Sequence, residues 1–205
     1  NEKAAELGCT GTHFANPHGL HDENHYTTAR DLWRIAKAVL ANETLREIVF
    51  STSYDLPATN KQAARTLYTT NYMTSQDQSK KYYYEPAKGI KTGYTKAAGR
   101  CLVFGAKRDG LELIGVVLNC PDWFQEAERI LDMGFAEYEY FTAFAAGESV
   151  RVLPVQDGVR ETVSIVTQRE LGAPVRKGLV PTLEYTLPDE LPAGFQLGDE
   201  IGEVR

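Results

Sequence analysis

The sequence predicts an α+β fold: helices layered on an antiparallel sheet, followed by a smaller all-β region. Three observations carry this. Residues 28 to 41 repeat apolar side chains at helical spacing. The stretch from Gly89 to Cys120 holds three strand-like runs separated by Gly-containing turns. After Phe144 the composition shifts to Val, Pro, Gly and Glu in short alternating segments.

Taken in order, the opening NEKAAELG is helix-like in composition, and Asn1 reads as a cut end because no initiator Met, basic region or apolar leader precedes it. Thr28 and Asp31 form a capping pair, after which Leu32, Ile35, Ala36, Val39 and Leu40 share one helix face. Trp33 falls off that stripe and is expected at its edge. From Ser51 to Gly89 the chain is polar and loop-rich, with two weak strand-like pieces. Tyr82, Tyr83 and Tyr84 read as packing residues, since no basic groove accompanies them to make a base-stacking platform.

GIKTGYT, CLVFGAK and LELIGVVLNC then read as antiparallel strands, the last two joined at Asp109-Gly110. Pro121-Asp122 opens a second helix in which Trp123, Ala127, Ile130 and Leu131 share a face, with Gly134 as its expected stop. A domain boundary is expected near Ala145, dividing the chain into 1–144 and 145–205. In the second part SVRVLPV and ETVSIV are strands broken at Asp157-Gly158, and FQLGDEIGEVR reads as strand, turn and the start of an unfinished strand.

Composition narrows the function classes. With 205 residues and 42% hydrophobic content the chain can bury a core, and a net charge of -6 leaves no basic stripe for nucleic acid. The longest purely aliphatic run, Val116-Val117-Leu118, falls far short of the ~20 residues of a membrane helix. Three cysteines exclude a disulfide framework; Cys101 and Cys120 flank the hairpin closely enough to pair, but free buried thiols are the expectation.

The chemistry concentrates in KGIKTGYTKAAGR, residues 88 to 100. Lys91 on a strand presents an ammonium, Thr92 a hydroxyl for a carboxylate, and Gly93 lets a ligand backbone approach closely. The amide of Tyr94 then lies where an oxyanion could be held. A bare Lys-Thr-Gly also reads as a solvated strand end, so its setting between Gly-Ile and a hairpin carries the weight. His21 and His25 stand four apart in HDENH, but Gly19, Asp22 and Asn24 mark a turn and Asp22 stands where a metalloprotease helix needs Glu. No metal site is expected there.

That run, with THFANPHGLHDENHYTTARDL (12 to 32) and CPDWFQEAERILDMGF (120 to 135), resembles the low-molecular-weight penicillin-binding proteins, the serine D-alanyl-D-alanine carboxypeptidases. The likeness covers residues 1 to about 144, and 145 to 205 resembles the β-rich domain that follows the catalytic domain in this family. It implies a β-lactamase/transpeptidase-like catalytic domain working through Ser-x-x-Lys, Ser-x-Asn and Lys-Thr-Gly. Only the third motif is present: none of Ser51, Ser53, Ser75, Ser79, Ser149 and Ser164 is followed by Lys at +3 or Asn at +2. In the family the missing motifs lie upstream of the segment matching Asn1 to Gly8, so the chain reads as the C-terminal part of such an enzyme, without the nucleophile and inactive alone.

By the same resemblance Lys91 and Thr92 recognise the terminal carboxylate of a D-Ala-D-Ala stem peptide or of a β-lactam, and Tyr94 supplies the oxyanion amide. No cofactor is expected, and the parent protein is expected to act outside the cytoplasmic membrane. Asp31 matches a carboxylate near the family's active site, though a first-turn helix acid favoured by the dipole weighs more. Two positions depart from the pattern: Gln125 stands where some members have arginine, and Thr69-Thr70-Asn71 replaces Asn-Thr-Asn. A rival reading is a non-catalytic module that holds cell-wall peptides on the same strand. An exposed sheet edge left by the missing half further suggests a homo-oligomer.

Overall fold

A computed structural model of the chain describes residues 1–77 and 80–205. They divide into two compact units, Asn1–Ala136 and Glu137–Arg205.

The first unit opens on α1 (Glu2–Glu6), followed by α2 (Ala29–Ala41) and α3 (Glu43–Phe50). Thr28 caps α2 as its sequence requires, its hydroxyl accepting the Asp31 N–H at 3.1 Å, an interaction worth about 1 kcal/mol. Ala36 and Leu40 form the buried centre of the α2 stripe, while Trp33 stays 40% exposed beneath the Lys37 ammonium. Only two turns long, α3 escapes the sequence reading. Its signal is Asn42, whose side chain accepts the Leu45 N–H at 3.0 Å.

The loop-rich stretch contains the antiparallel pair β1 (Ser53–Leu56) and β2 (Arg65–Tyr68), then a 3-10 turn at Tyr72–Thr74. Its Ser79 lies outside the described residues. The sheet that follows has the order β3 (Ala87–Thr95), β4 (Gly99–Arg108), β5 (Leu111–Val117), all antiparallel. Asp109 and Gly110 both take left-handed backbone angles (φ 48 and 82) at the β4–β5 hairpin, as a tight two-residue turn between twisted strands demands.

Leu102 and Phe104 on β4 are fully buried. α2 packs on β5 and β4. α4 (Trp123–Glu137) buries Phe124, Ala127, Leu131 and Phe135, so the inward stripe is displaced from the expected one, with Trp123 and Ile130 half-buried at its sides. Gly134 does not stop this helix. It sits inside α4 at a close approach, where an added Cβ would come within 2.6 Å of Leu113 Cδ1. Glycine is there for packing against β5.

Tyr84 is the buried member of the tyrosine triple. Its hydroxyl donates to Asp132 at 2.6 Å and accepts from Arg108 at 3.1 Å, tying the loop to α4 and β4.

In the second unit β6 (Tyr138–Phe144) pairs with β9 (Leu171–Arg176), and β7 (Ser149–Gln156) with β8 (Thr162–Val166). Residues 138–144, which the composition shift near Ala145 assigns to the first region, thus pair within this one. Two-residue pieces β10 (Tyr185–Thr186), β11 (Leu191–Pro192) and β12 (Glu203–Val204) complete it, with Leu153 and Leu191 at its centre. Phe195–Leu197, expected as a strand, is not one. The Gln196 N–H instead binds the Asp199 carboxylate at 2.7 Å and Gly198 turns the chain at φ 101.

Candidate active site

β3 has β4 on one side only in its sheet, so alternate N–H and C=O groups along it point outward. Lys91, Thr92, Gly93 and Tyr94 all lie on this edge strand. The Lys91 side chain is exposed, with its ammonium donating to the Thr92 carbonyl at 2.6 Å. No ion pair engages it among the described residues. Tyr94 is 66% exposed. At Gly93 an added Cβ would meet nothing nearer than Cys101 Cβ at 4.0 Å, so neither packing nor a left-handed backbone asks for glycine there.

The strand is held from its N-terminal side. Gly89 has φ 72, and a Cβ there would fall 2.5 Å from the Val49 carbonyl oxygen at the end of α3, a close approach that only glycine permits. Asn71, 2% exposed, donates its side-chain amide to the Gly89 carbonyl at 2.8 Å and accepts the Met73 N–H at 3.2 Å. Its neighbour Thr70 places a hydroxyl 2.6 Å from that of Thr92. The residues of this stretch that touch the Lys-Thr-Gly strand, Thr70 and Asn71, are the two that match Asn-Thr-Asn, while the departing Thr69 accepts the Asn71 N–H at 3.1 Å, a relationship that one sequence gives no signal for.

One depression runs along Phe50, Met73, Ser75, Tyr83 and Lys88, another along Tyr72, Tyr82, Arg100 and Trp123. Neither is lined by Lys91 or Thr92.

Asp31 serves structure. Only 2% exposed, its Oδ2 accepts from the Gly11 N–H and the Thr12 hydroxyl, each at 2.8 Å, and its Oδ1 from Arg34 at 3.1 Å. Burial pushes its pKa up, but these donors and the Arg34 charge outweigh burial and hold the carboxyl below its ordinary value. Cys9 beside it is raised, first by burial and then by the Asp31 charge. All three cysteines are free; Cys9 is buried as expected, whereas Cys101 and Cys120 are partly exposed.

His21 is exposed, and His25 lies edge-on to Phe14. The described serines are occupied elsewhere: Ser51 donates to the Glu47 carbonyl, Ser53 accepts from Gln76, Ser75 from the Asp77 N–H, and Ser149 bonds Ser164.

This α+β arrangement, with Lys-Thr-Gly on a sheet edge, shares its fold with penicillin-binding and transpeptidase proteins of known structure. The chain is similar to penicillin binding protein 5 from Haemophilus influenzae (27% identity, TM-score 0.62, covering 100% of this chain and 58% of that one). It is likewise similar to the Streptomyces K15 DD-transpeptidase (34% identity, TM-score 0.59, covering 66% and 52%). The chain belongs to the D-alanyl-D-alanine carboxypeptidase family, whose model matches residues 1–122.

Among curated relatives, D-alanyl-D-alanine carboxypeptidase DacF of Bacillus subtilis is 29% identical over 210 residues, covering 100% of this chain and 52% of that protein. The D-alanyl-D-alanine carboxypeptidase of Streptomyces sp. strain K15 is 35% identical over 143 residues, covering 66% of this chain and 47% of that protein. The chain thus spans about half the length of the curated relatives it matches.

Proposed function

We propose that this chain supplies the carboxylate-binding strand of a serine-type D-Ala-D-Ala carboxypeptidase that trims peptidoglycan stem peptides. The Lys91 ammonium and Thr92 hydroxyl take the terminal carboxylate of the peptide or of a β-lactam, Gly93 admits its backbone, and the Tyr94 N–H holds the acyl oxygen. A serine outside this sequence attacks the penultimate D-Ala carbonyl carbon. The terminal D-Ala leaves as its amine with a proton, and water cleaves the acyl ester to restore the hydroxyl.

The observation that carries this reading is the exposed β3 edge itself. An ammonium with no anionic partner, a hydroxyl and a glycine not needed for packing stand in succession on an edge strand.

The first unit belongs in this reading to the C-terminal part of the catalytic domain and the second to the family's following β-rich domain. Peptidoglycan lies outside the cytoplasmic membrane, so the parent protein acts there. Among the described residues no helix is long and apolar enough to cross a membrane.

The test is intact mass after incubation with a penicillin. The chain alone gains no adduct. Joined in frame to a segment bearing Ser-x-x-Lys and Ser-x-Asn it gains one penicilloyl group, and Lys91→Ala slows that acylation about a hundredfold. A stoichiometric adduct on the chain alone, or full-rate acylation of the joined Lys91→Ala protein, overturns the reading.

A further inference from the structure

We propose that Thr70 is a positioning residue for the carboxylate donor on β3: it gives its hydroxyl proton to Thr92 and so turns the Thr92 O–H toward the ligand. The inference rests on the carboxypeptidase reading for the carboxylate that Thr92 meets. The two hydroxyl oxygens stand 2.6 Å apart, within hydrogen-bond range for an O–H donor. Neither hydroxyl has another hydrogen-bond partner among the described residues.

Counting protons fixes the direction of this bond. A carboxylate only accepts hydrogen bonds, and a threonine hydroxyl has one proton to give. Were Thr92 the donor to Thr70, it would face the ligand with lone pairs alone and repel it. With Thr70 as donor the Thr92 proton stays available, and an oxygen that already accepts a bond donates a stronger one. Without Thr70 the Thr92 rotor is no longer fixed, and water competes for its proton.

Thr70 is held for this role on both sides. Before it, the Thr69 N–H donates to the Thr52 carbonyl at 2.8 Å, just beyond the paired residues Ser53 and Tyr68. After it, Asn71 donates its N–H to the Thr69 hydroxyl at 3.1 Å and its side-chain amide to the Gly89 carbonyl on β3 at 2.8 Å. Loop and strand thus set the separation of the two hydroxyls before a ligand arrives, so little ordering remains to be done on binding. Thr70 itself is exposed, and removing its hydroxyl should disturb the fold little.

The test uses the chain joined in frame to a segment bearing Ser-x-x-Lys and Ser-x-Asn, acylated by benzylpenicillin or by its methyl ester and followed by intact mass. Thr70→Val keeps the shape of the side chain and removes the hydroxyl. It should slow acylation by benzylpenicillin about tenfold and acylation by the ester far less, because the ester offers the Thr92 proton no negative charge. Thr70→Ser should restore the parent rate. On a Thr92→Val background, Thr70→Val should cause no further loss, since the two hydroxyls act as one unit. Equal losses for the two compounds overturn the proposal, as does a benzylpenicillin loss that persists on the Thr92→Val background, which would make Thr70 a ligand contact in its own right. If the joined parent protein gains no penicilloyl group, the carboxypeptidase reading falls and this inference with it; parent acylation that Thr70→Val leaves untouched removes the positioning role alone.

Discussion

The hydroxyls of Thr70 and Thr92 stand 2.6 Å apart, although 22 residues separate them in the chain. Through this contact the loop before β3 shares the side-chain row that the Lys-Thr-Gly strand presents. Asn71 holds the loop in place by binding the carbonyl of Gly89, two residues before Lys91. The row's geometry therefore depends on a buried amide as well as on the strand.

Asn71→Ala leaves a buried carbonyl and a buried N–H without their side-chain partner. Each such group costs about 1–3 kcal/mol, so the variant should lose roughly 2–6 kcal/mol in urea unfolding, with an unchanged m-value. A loss below about 0.5 kcal/mol, the range of an ordinary surface change, would show that the amide does not secure the loop.

Asp31 has a folded pKa below its unfolded value, because the Thr12, Gly11 and Arg34 donors favour its carboxylate more than burial opposes it. Its contribution to stability is therefore present above the unfolded pKa and is lost as pH falls through the lower folded one. Thermal unfolding followed from pH 7 down to pH 2 should show this acid loss in the parent chain and a flatter profile in Asp31→Asn. Identical slopes in both would remove Asp31 from the account.

Tyr84 behaves in the opposite sense. Burial first, then the hydrogen bond to Asp132 and its charge, push the phenol up from 10.0 to about 12. The raised folded value means that stability is fully present below pH 10 and is lost as pH rises through about 12. The shift corresponds to roughly 2–3 kcal/mol. Tyr84→Phe should be less stable at pH 8 and lose less between pH 10 and 12, as read by denaturant midpoints at each pH; a steeper alkaline loss in the variant would contradict the assignment.

β3 and β5 each have a single strand partner in their sheet, and such open edges recruit other strands. The isolated chain should run as a dimer or larger species in light scattering at tens of micromolar, in keeping with the homo-oligomer expectation. A monodisperse monomer under those conditions would count against association through these edges.

Much of the first unit was legible from local pattern. The Thr28 cap, the α2 stripe, the three strands and the Asp109-Gly110 turn each follow from a few neighbouring residues, and each appears where its residues place it. The misses have different causes, distant packing in two cases and a local turn in the other. Gly134 reads locally as a helix stop, yet Leu113 from a distant strand makes it a packing residue. FQLGDEIGEVR alternates like a strand, but a turn closed by Asp199 wins. α3 was missed because a two-turn helix gains most of its stability from what it abuts, here β3 at Gly89.

By itself the sequence determined the α+β class, the Lys91-Thr92-Gly93-Tyr94 strand and the absence of a Ser-x-x-Lys in the chain, since each is a property of contiguous residues. Only the tertiary structure decided that Thr70 meets Thr92, that Asn71 anchors the strand and that Asp31 is tied into the fold. Those are distances between segments remote in sequence, set by how the sheet and helices pack, and side-chain spacing along one strand or helix carries no information about them.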